Sequence, residues 1–154
     1  MAATGDPAAA VRALLEPVAE ALGLDARLEV SDDGEVVVAD FVGDDLGLLI
    51  GRHGQTIDAL QHLAWRVIGR TGATRERVVI DASGYRARRE ETLAAQADEA
   101  ADQAMRFDRP VAMDAMSAPE RKVVHEYLRE RGDVETYSEG DEPDRHLVVA
   151  PLGD

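Results

Sequence analysis

The sequence predicts a mixed α+β chain built of two small units, and three observations carry that reading. Segments with the 3.6-residue apolar period of helices alternate with short β-branched runs. These segments fall into two successive sets, with no internal repeat and no long linker between them. The chain has 154 residues, enough for one medium domain or two small ones with separate cores. Hydrophobic residues make up 45% and aromatics only 4%, so the cores must be mostly Leu, Val, Ile and Ala.

From Pro7 to Leu24, Val11, Leu14, Leu15, Val18, Ala21 and Leu22 recur at helical spacing. Asp6 before Pro7 makes a cap and first-turn pair, and Gly23 suits the C-terminal end. Residues 26–30 alternate like a strand, Ser31–Gly34 reads as a turn, and Glu35–Val42 as the second strand of a hairpin. "GDDLGLLI" predicts a short helix capped by Asp44 or Asp45. A glycine-flanked turn, Gly51–Gly54, leads into a longer helix with Ile57, Leu60, Leu63, Ala64, Val67 and Ile68 on one face. "TGAT" ends that helix, and Arg77–Ser83 is β-rich.

Gly84 opens a long helical stretch that runs to about Phe107 and stops before Pro110. "PVAMDAM" is read as a short strand. Ser117, Pro119 and Glu120 signal a capped helix that ends at Gly132, with Ser117 and Glu120 as a capping box. "DVETYS" and "RHLVVAPL" read as two strands joined by the acidic loop "EGDEPD". The expected units are residues 7–83 and 84–154, sharing the long helix as the joint. Trp65 and Phe107 are expected in a core or at that joint.

The formal net charge is −14, which on its own argues against a polyanionic ligand. The distribution matters more than the sum. Residues 1–50 hold Arg12 and Arg27 against eleven acids. Residues 51–90 hold eight arginines against four acids, the one net-positive segment. Within it, Arg86–Arg89 can be read equally as a solvated helix face. The chain has no cysteine, which excludes a disulfide scaffold and fits a reducing, cytoplasmic location. No run is long and apolar enough to span a membrane, and "MAATGDPAAAVRALLEP" lacks the pattern of a secretory signal.

The turn Gly51-Arg52-His53-Gly54 opens the positive segment. Glycine permits unusual dihedrals and close approach of another chain. The following helix points amide donors at the turn, and its dipole favours an anion there. Arg52 adds a charge-assisted partner, His53 a further donor, and Gln55 lies beside the helix start. Two glycines alone mark no more than a helix corner. The order helix, strand, strand, short helix, glycine turn, helix, strand is the layout of a type II KH domain (α-β-β-α-α-β), whose G-x-x-G loop clamps single-stranded nucleic acid.

A second constellation lies in "ERKVVHEYL". Arg121 and His125 are four apart and share a helix face, with Lys122 beside them. Spacing alone leaves an ordinary solvated face ahead of a phosphate site. However, the pattern of an arginine, three residues and a histidine names a single-stranded nucleic-acid-binding domain. The stretches "GYRARREETLAAQADEAADQAM", "PVAMDAMSAPERKVVHEYL" and "VETYSEGDEPDRHLVVAP" resemble the C-terminal domain of the Jag family. "LIGRHGQTIDALQHLAWRV" resembles that family's KH loop and helix. The resemblance covers roughly residues 7–151, with both domains in the expected order. It points to a short form without the N-terminal Jag domain and linker.

The resemblance implies a non-enzymatic, cytoplasmic bacterial protein that binds single-stranded RNA, or single-stranded DNA. It also implies KH–KH association into a homo- or hetero-dimer, and roles in RNA control or cell envelope growth. The expected contacts are Gly51, Arg52, His53, Gly54 and Gln55 in the first unit. In the second, a helix-plus-three-strand domain, they are Arg121, Lys122, His125 and Arg145. The rival reading is a protein-interaction scaffold that uses the KH fold for dimerisation or docking to an envelope partner. No cofactor is expected. The sequence has no P-loop and no G-x-S-x-G, and its four histidines have no metal-ligand spacing.

Overall fold

The computed structural model describes residues 5–71 and 77–153. Its chain order is α1 (Pro7–Ala21), β1 (Arg27–Asp32), β2 (Val36–Val42), α2 (Gly47–Ile50), α3 (Gln55–Arg70) and β3 (Arg77–Ala82). There follow α4 (Tyr85–Phe107), β4 (Val111–Ala112), α5 (Ala118–Arg129), β5 (Val134–Glu139) and β6 (His146–Pro151). This is the expected α+β architecture, with a three-stranded sheet in each half. The chain divides into two compact units, Met1–Ala87 and Arg88–Asp154, so α4 begins in the first and continues through the second.

In the first unit the sheet order is β1-β2-β3, with β1 antiparallel and β3 parallel to β2. The parallel pair requires a crossover, which α2 and α3 supply. Asp6 caps α1 by accepting from the Ala8 and Ala9 amides. Gly23, at φ 66°, ends it by donating to Glu20 O while Leu24 N donates to Ala19 O, the paired bonds of a left-handed helix stop. The hairpin turn is made by Asp33, whose carboxylate accepts from the Glu35 and Val36 amides. Those backbone bonds, Val36 first, hold its pKa below the ordinary value.

Alternation along β2 buries Val37, Ala39 and Phe41. They pack with Val11 and Leu15 of α1, and with Ile57, Leu60, Ala64 and Ile68 of α3. Phe41 is the largest fully buried side chain of the described residues. Two expectations need correction. Leu63 is half exposed at 50%, because the face that meets the sheet is filled at 57, 60, 64 and 68. The cap of α2 is Leu46, with no side-chain bond, rather than Asp44 or Asp45. Of the expected stop at 71–74, Thr71 does close α3, donating from N and Oγ1 to Ile68 O, and the rest lies outside the described residues.

The second unit has the sheet order β4-β6-β5, antiparallel throughout. "PVAMDAM" contributes only the two-residue β4. Small residues of α4 (Ala97, Ala100, Ala101 and Ala104) form one buried face with Leu93. They join Val124 and Leu128 of α5 and Val134, Leu147 and Val149 of the sheet in a separate core. The capping box is present: Ser117 Oγ accepts from Glu120 N, and Glu120 accepts from Ser117 N.

Candidate functional site

The Gly51–Gly54 turn is shaped by three residues with positive φ. Gly51 ends α2 at φ 73°, His53 sits at φ 53°, and Gly54 precedes α3 at φ 81°. Both glycines are also required by packing. A β-carbon on Gly51 would stand 2.9 Å from Thr56 N, and one on Gly54 would stand 2.9 Å from the Tyr85 ring. Gly54 is buried and Gly51 half-buried, so their primary work is to fold the loop. Arg52 is exposed, and among the described residues its side chain has neither ion pair nor hydrogen bond. No side chain caps α3; its first amide, Gln55 N, donates to Arg52 O within the loop, and no side chain takes the amides that follow. Gln55 is exposed at the head of that helix. The loop therefore presents a free guanidinium, an imidazole and a helix N-terminus together.

Arg86 is not part of a solvated face. Its Nε donates to Ile80 O at 2.8 Å, Nη1 to Asp58 at 2.8 Å and Nη2 to Gln61 at 3.0 Å. Gln61 in turn accepts from Ile80 N at 3.1 Å. β3 is an edge strand, and these two side chains satisfy the outward backbone groups of Ile80 that would otherwise be unpaired. Arg89 bonds Glu120 at 2.8 Å in the second unit, and both side chains are largely buried. Trp65 and Phe107 are on the surface rather than in a core, 57% and 55% exposed. The α3 core face is already filled by residues 57, 60, 64 and 68, which turns residue 65 outward. Phe107 ends α4, with the guanidinium groups of Arg106 and Arg109 each 5.4 Å from its ring centre.

The four basic residues expected in the second unit line one open depression of about 410 Å³. Arg121, Lys122 and His125 come from α5, and Arg145 from the residue before β6. Arg121 is nine-tenths buried; its Nη1 donates to Met116 O at 2.6 Å and Nη2 to Glu142 at 2.9 Å. Lys122 and His125 are exposed, and Arg145 is half-buried. His125 Nδ1 bonds Thr136 Oγ1, which fixes the ring and leaves Nε2 available. Arg145 Nη1 donates to Gly140 O at 2.6 Å. Tyr137, which the sequence leaves open between a packing and a base-stacking role, lines the same depression, as do Thr136 and Ser138 of β5, which were not foreseen. Their only signal in the sequence was membership of a strand, and pairing with β6 is what brings them there.

Comparison with known proteins connects this geometry to a family. Residues 8–80 match the KH domain of KhpA and KhpB, and residues 91–151 match the Arg-x-x-x-His domain. The chain is 36% identical over 138 residues to RNA-binding protein KhpB of Clostridium symbiosum, covering 88% of this chain and 62% of that protein. It is 40% identical over 144 residues to the protein of that name from Lactiplantibacillus plantarum, covering 92% and 45%. With RNA-binding protein KhpB of Bacillus subtilis it shares 32% over 147 residues, covering 94% of this chain and 71% of that one. The chain belongs to the KhpB family. This is the Jag family of the sequence resemblance, with its KH and Arg-x-x-x-His domains in the expected order. The chain spans less than two thirds of the first two KhpB relatives. Residues 81–90, which carry Tyr85, Arg86 and Arg89, fall between the two matched domains of the KhpB pattern.

Proposed function

We propose that this chain binds single-stranded RNA, without catalysing a reaction on it, through the Gly51–Gly54 loop and the Arg121 depression. The observation that carries the reading is the convergence of Arg121, Lys122, His125 and Arg145 on one open surface of a strongly acidic protein. Such a concentration of cations runs against the overall charge and suits a phosphate chain. Arg52 and His53 hold phosphates at the loop, with the Gln55 end of α3 contributing its amides and dipole. Gly51 and Gly54 give the loop its shape. Single strands follow from the KH fold, whose loop meets a flexible backbone rather than a duplex. Two modest sites on one strand raise avidity without strong individual affinity. RNA control in the cytoplasm, or regulation of envelope growth, is the cellular role that fits such binding.

The test is a titration with a short single-stranded RNA at several salt concentrations. Log affinity should fall against log salt with a slope of about −0.7 per phosphate contacted. The double substitution Arg52→Asp with His53→Asp should weaken binding at least roughly tenfold, by reversing the loop's charge. Aspartate tolerates the left-handed backbone at position 53, so the fold should survive. Equal, poor binding by both proteins would sink the reading.

A second reading, association through the KH unit, is favoured by one observation. Trp65 is exposed on α3, with the His62 ring 6.3 Å from its own. Sedimentation should then show a dimer that Trp65→Glu converts to monomer; a monomer at every concentration would dismiss it.

A further inference from the structure

The Arg121 guanidinium is already occupied by a carboxylate. Glu142 Oε1 lies 2.9 Å from Nη2, and Met116 O accepts from Nη1 at 2.6 Å. The two partners of the ion pair differ in exposure: the Arg121 side chain is 10% exposed and that of Glu142 is 59%. Glu142 belongs to the acidic loop between β5 and β6, which also carries Asp141 and Asp144. That loop is tied back by Asp144 N donating to Asp141 O at 2.8 Å. It is tied again by Arg145, a residue of the basic depression, donating to Gly140 O.

We infer that Glu142 is a carboxylate latch on the RNA site, a built-in competitor that a phosphate must displace from Arg121. This rests on the RNA reading above. Arg121 does not need Glu142 for its placement, because burial and the Met116 carbonyl already orient it. What Glu142 supplies is charge: it neutralises the least mobile cation of the depression. Because its own side chain faces water, the carboxylate can swing out to solvent when another anion takes its place on Arg121. A phosphate oxygen is a comparable charge-assisted partner, and its chain also engages Lys122, His125 and Arg145. The latch therefore lowers affinity for any single phosphate and favours strands that engage several cations at once.

The experiment compares the full chain with Glu142→Gln and Asp141→Asn, using a single-stranded uridine oligomer of about ten nucleotides. Both substitutions remove one negative charge from the same loop, but among the described residues only Glu142 pairs its carboxylate with Arg121. Glu142→Gln should bind roughly three- to tenfold more tightly than the parent. Asp141→Asn should change affinity less than about twofold. Glutamine keeps an amide oxygen that accepts from the buried Arg121 Nη2, so the melting temperature of Glu142→Gln should stay close to those of the parent and of Asp141→Asn. If Glu142→Gln gains no more than Asp141→Asn, while Arg52→Asp with His53→Asp still weakens binding, the latch is wrong and the RNA reading stands. If Glu142→Gln weakens binding, Glu142 is a clamp that positions Arg121 and the latch is overturned. If neither the parent nor Glu142→Gln binds RNA, the RNA reading fails and the latch with it.

Discussion

His53 holds φ 53° and ψ 29°, a left-handed conformation that a residue with a β-carbon adopts only at a cost. It does so between Gly51 and Gly54, whose own positive φ values turn the chain within four residues. Gly51→Ala should therefore destabilise the fold by about 1–3 kcal/mol, through its positive φ and the collision with Thr56. Urea unfolding measures this directly. In the second unit, Tyr127 OH donates to Asp98 at 2.7 Å. That bond to a carboxylate, more than desolvation, raises the phenol's pKa above 10.0. A raised folded pKa stabilises fully below the unfolded pKa, and the contribution is lost as pH rises through the folded value. Tyr127→Phe should thus be less stable than the parent near neutral pH, and the gap should narrow once the pH passes about 10. Unfolding curves on both sides of that pH check the sign.

At the scale of elements, one carboxylate organises the start of α5. Glu120 accepts from Ser117 N through Oε2 and from Arg89 Nε through Oε1, so it closes the capping box and ties α5 to α4. Ser117→Ala removes only the cap and should cost about 1 kcal/mol. Glu120→Ala also leaves the largely buried Arg89 unpaired and should cost roughly 2–3 kcal/mol. Thermal melting should rank the two in that order, and equal losses would mean that the Arg89 pair contributes nothing. The edge of β3 follows the same logic, with Gln61 and Arg86 covering backbone groups of Ile80 that no strand pairs. Arg86 and Tyr85 stand at the start of α4, beyond the matched KH segment, yet they belong to the first unit. The KH core is thus completed by residues that the family pattern does not include.

At the scale of the whole molecule, a net charge of −14 sets two effects against each other. Self-repulsion of like charges opposes folding, and salt screens it. The cationic sites attract phosphates, and salt screens that as well. Raising salt from low to physiological concentration should therefore raise the melting temperature while weakening RNA binding. A melting series and a binding series in the same buffers would show the opposite slopes; parallel slopes would mean that the acidic surface is already neutralised by internal ion pairs.

Local patterns made most of the fold readable in advance. The β2 alternation, the Asp6 and Ser117 caps, the Gly23 stop and the order of elements all depend on neighbours within a few residues, and each stands as expected. The loop Gly51–Gly54 was legible for the same reason, because glycines beside a basic pair mark a special turn wherever they occur. The sequence by itself therefore determined the α+β class, the two sheets and the family. Tertiary structure decided which amphipathic residues face inward: Trp65 and Leu63 lie outside because the sheet is narrow and its face is already filled. It decided that Arg86 covers a strand edge and that Gly54 makes room for Tyr85. It also brought Thr136, Arg145 and Glu142 to Arg121, through strand pairing and a loop that no local period encodes. Periodicity reports one element at a time, whereas a charge site is assembled from several, so the cations were visible in the sequence and their carboxylate partner was not.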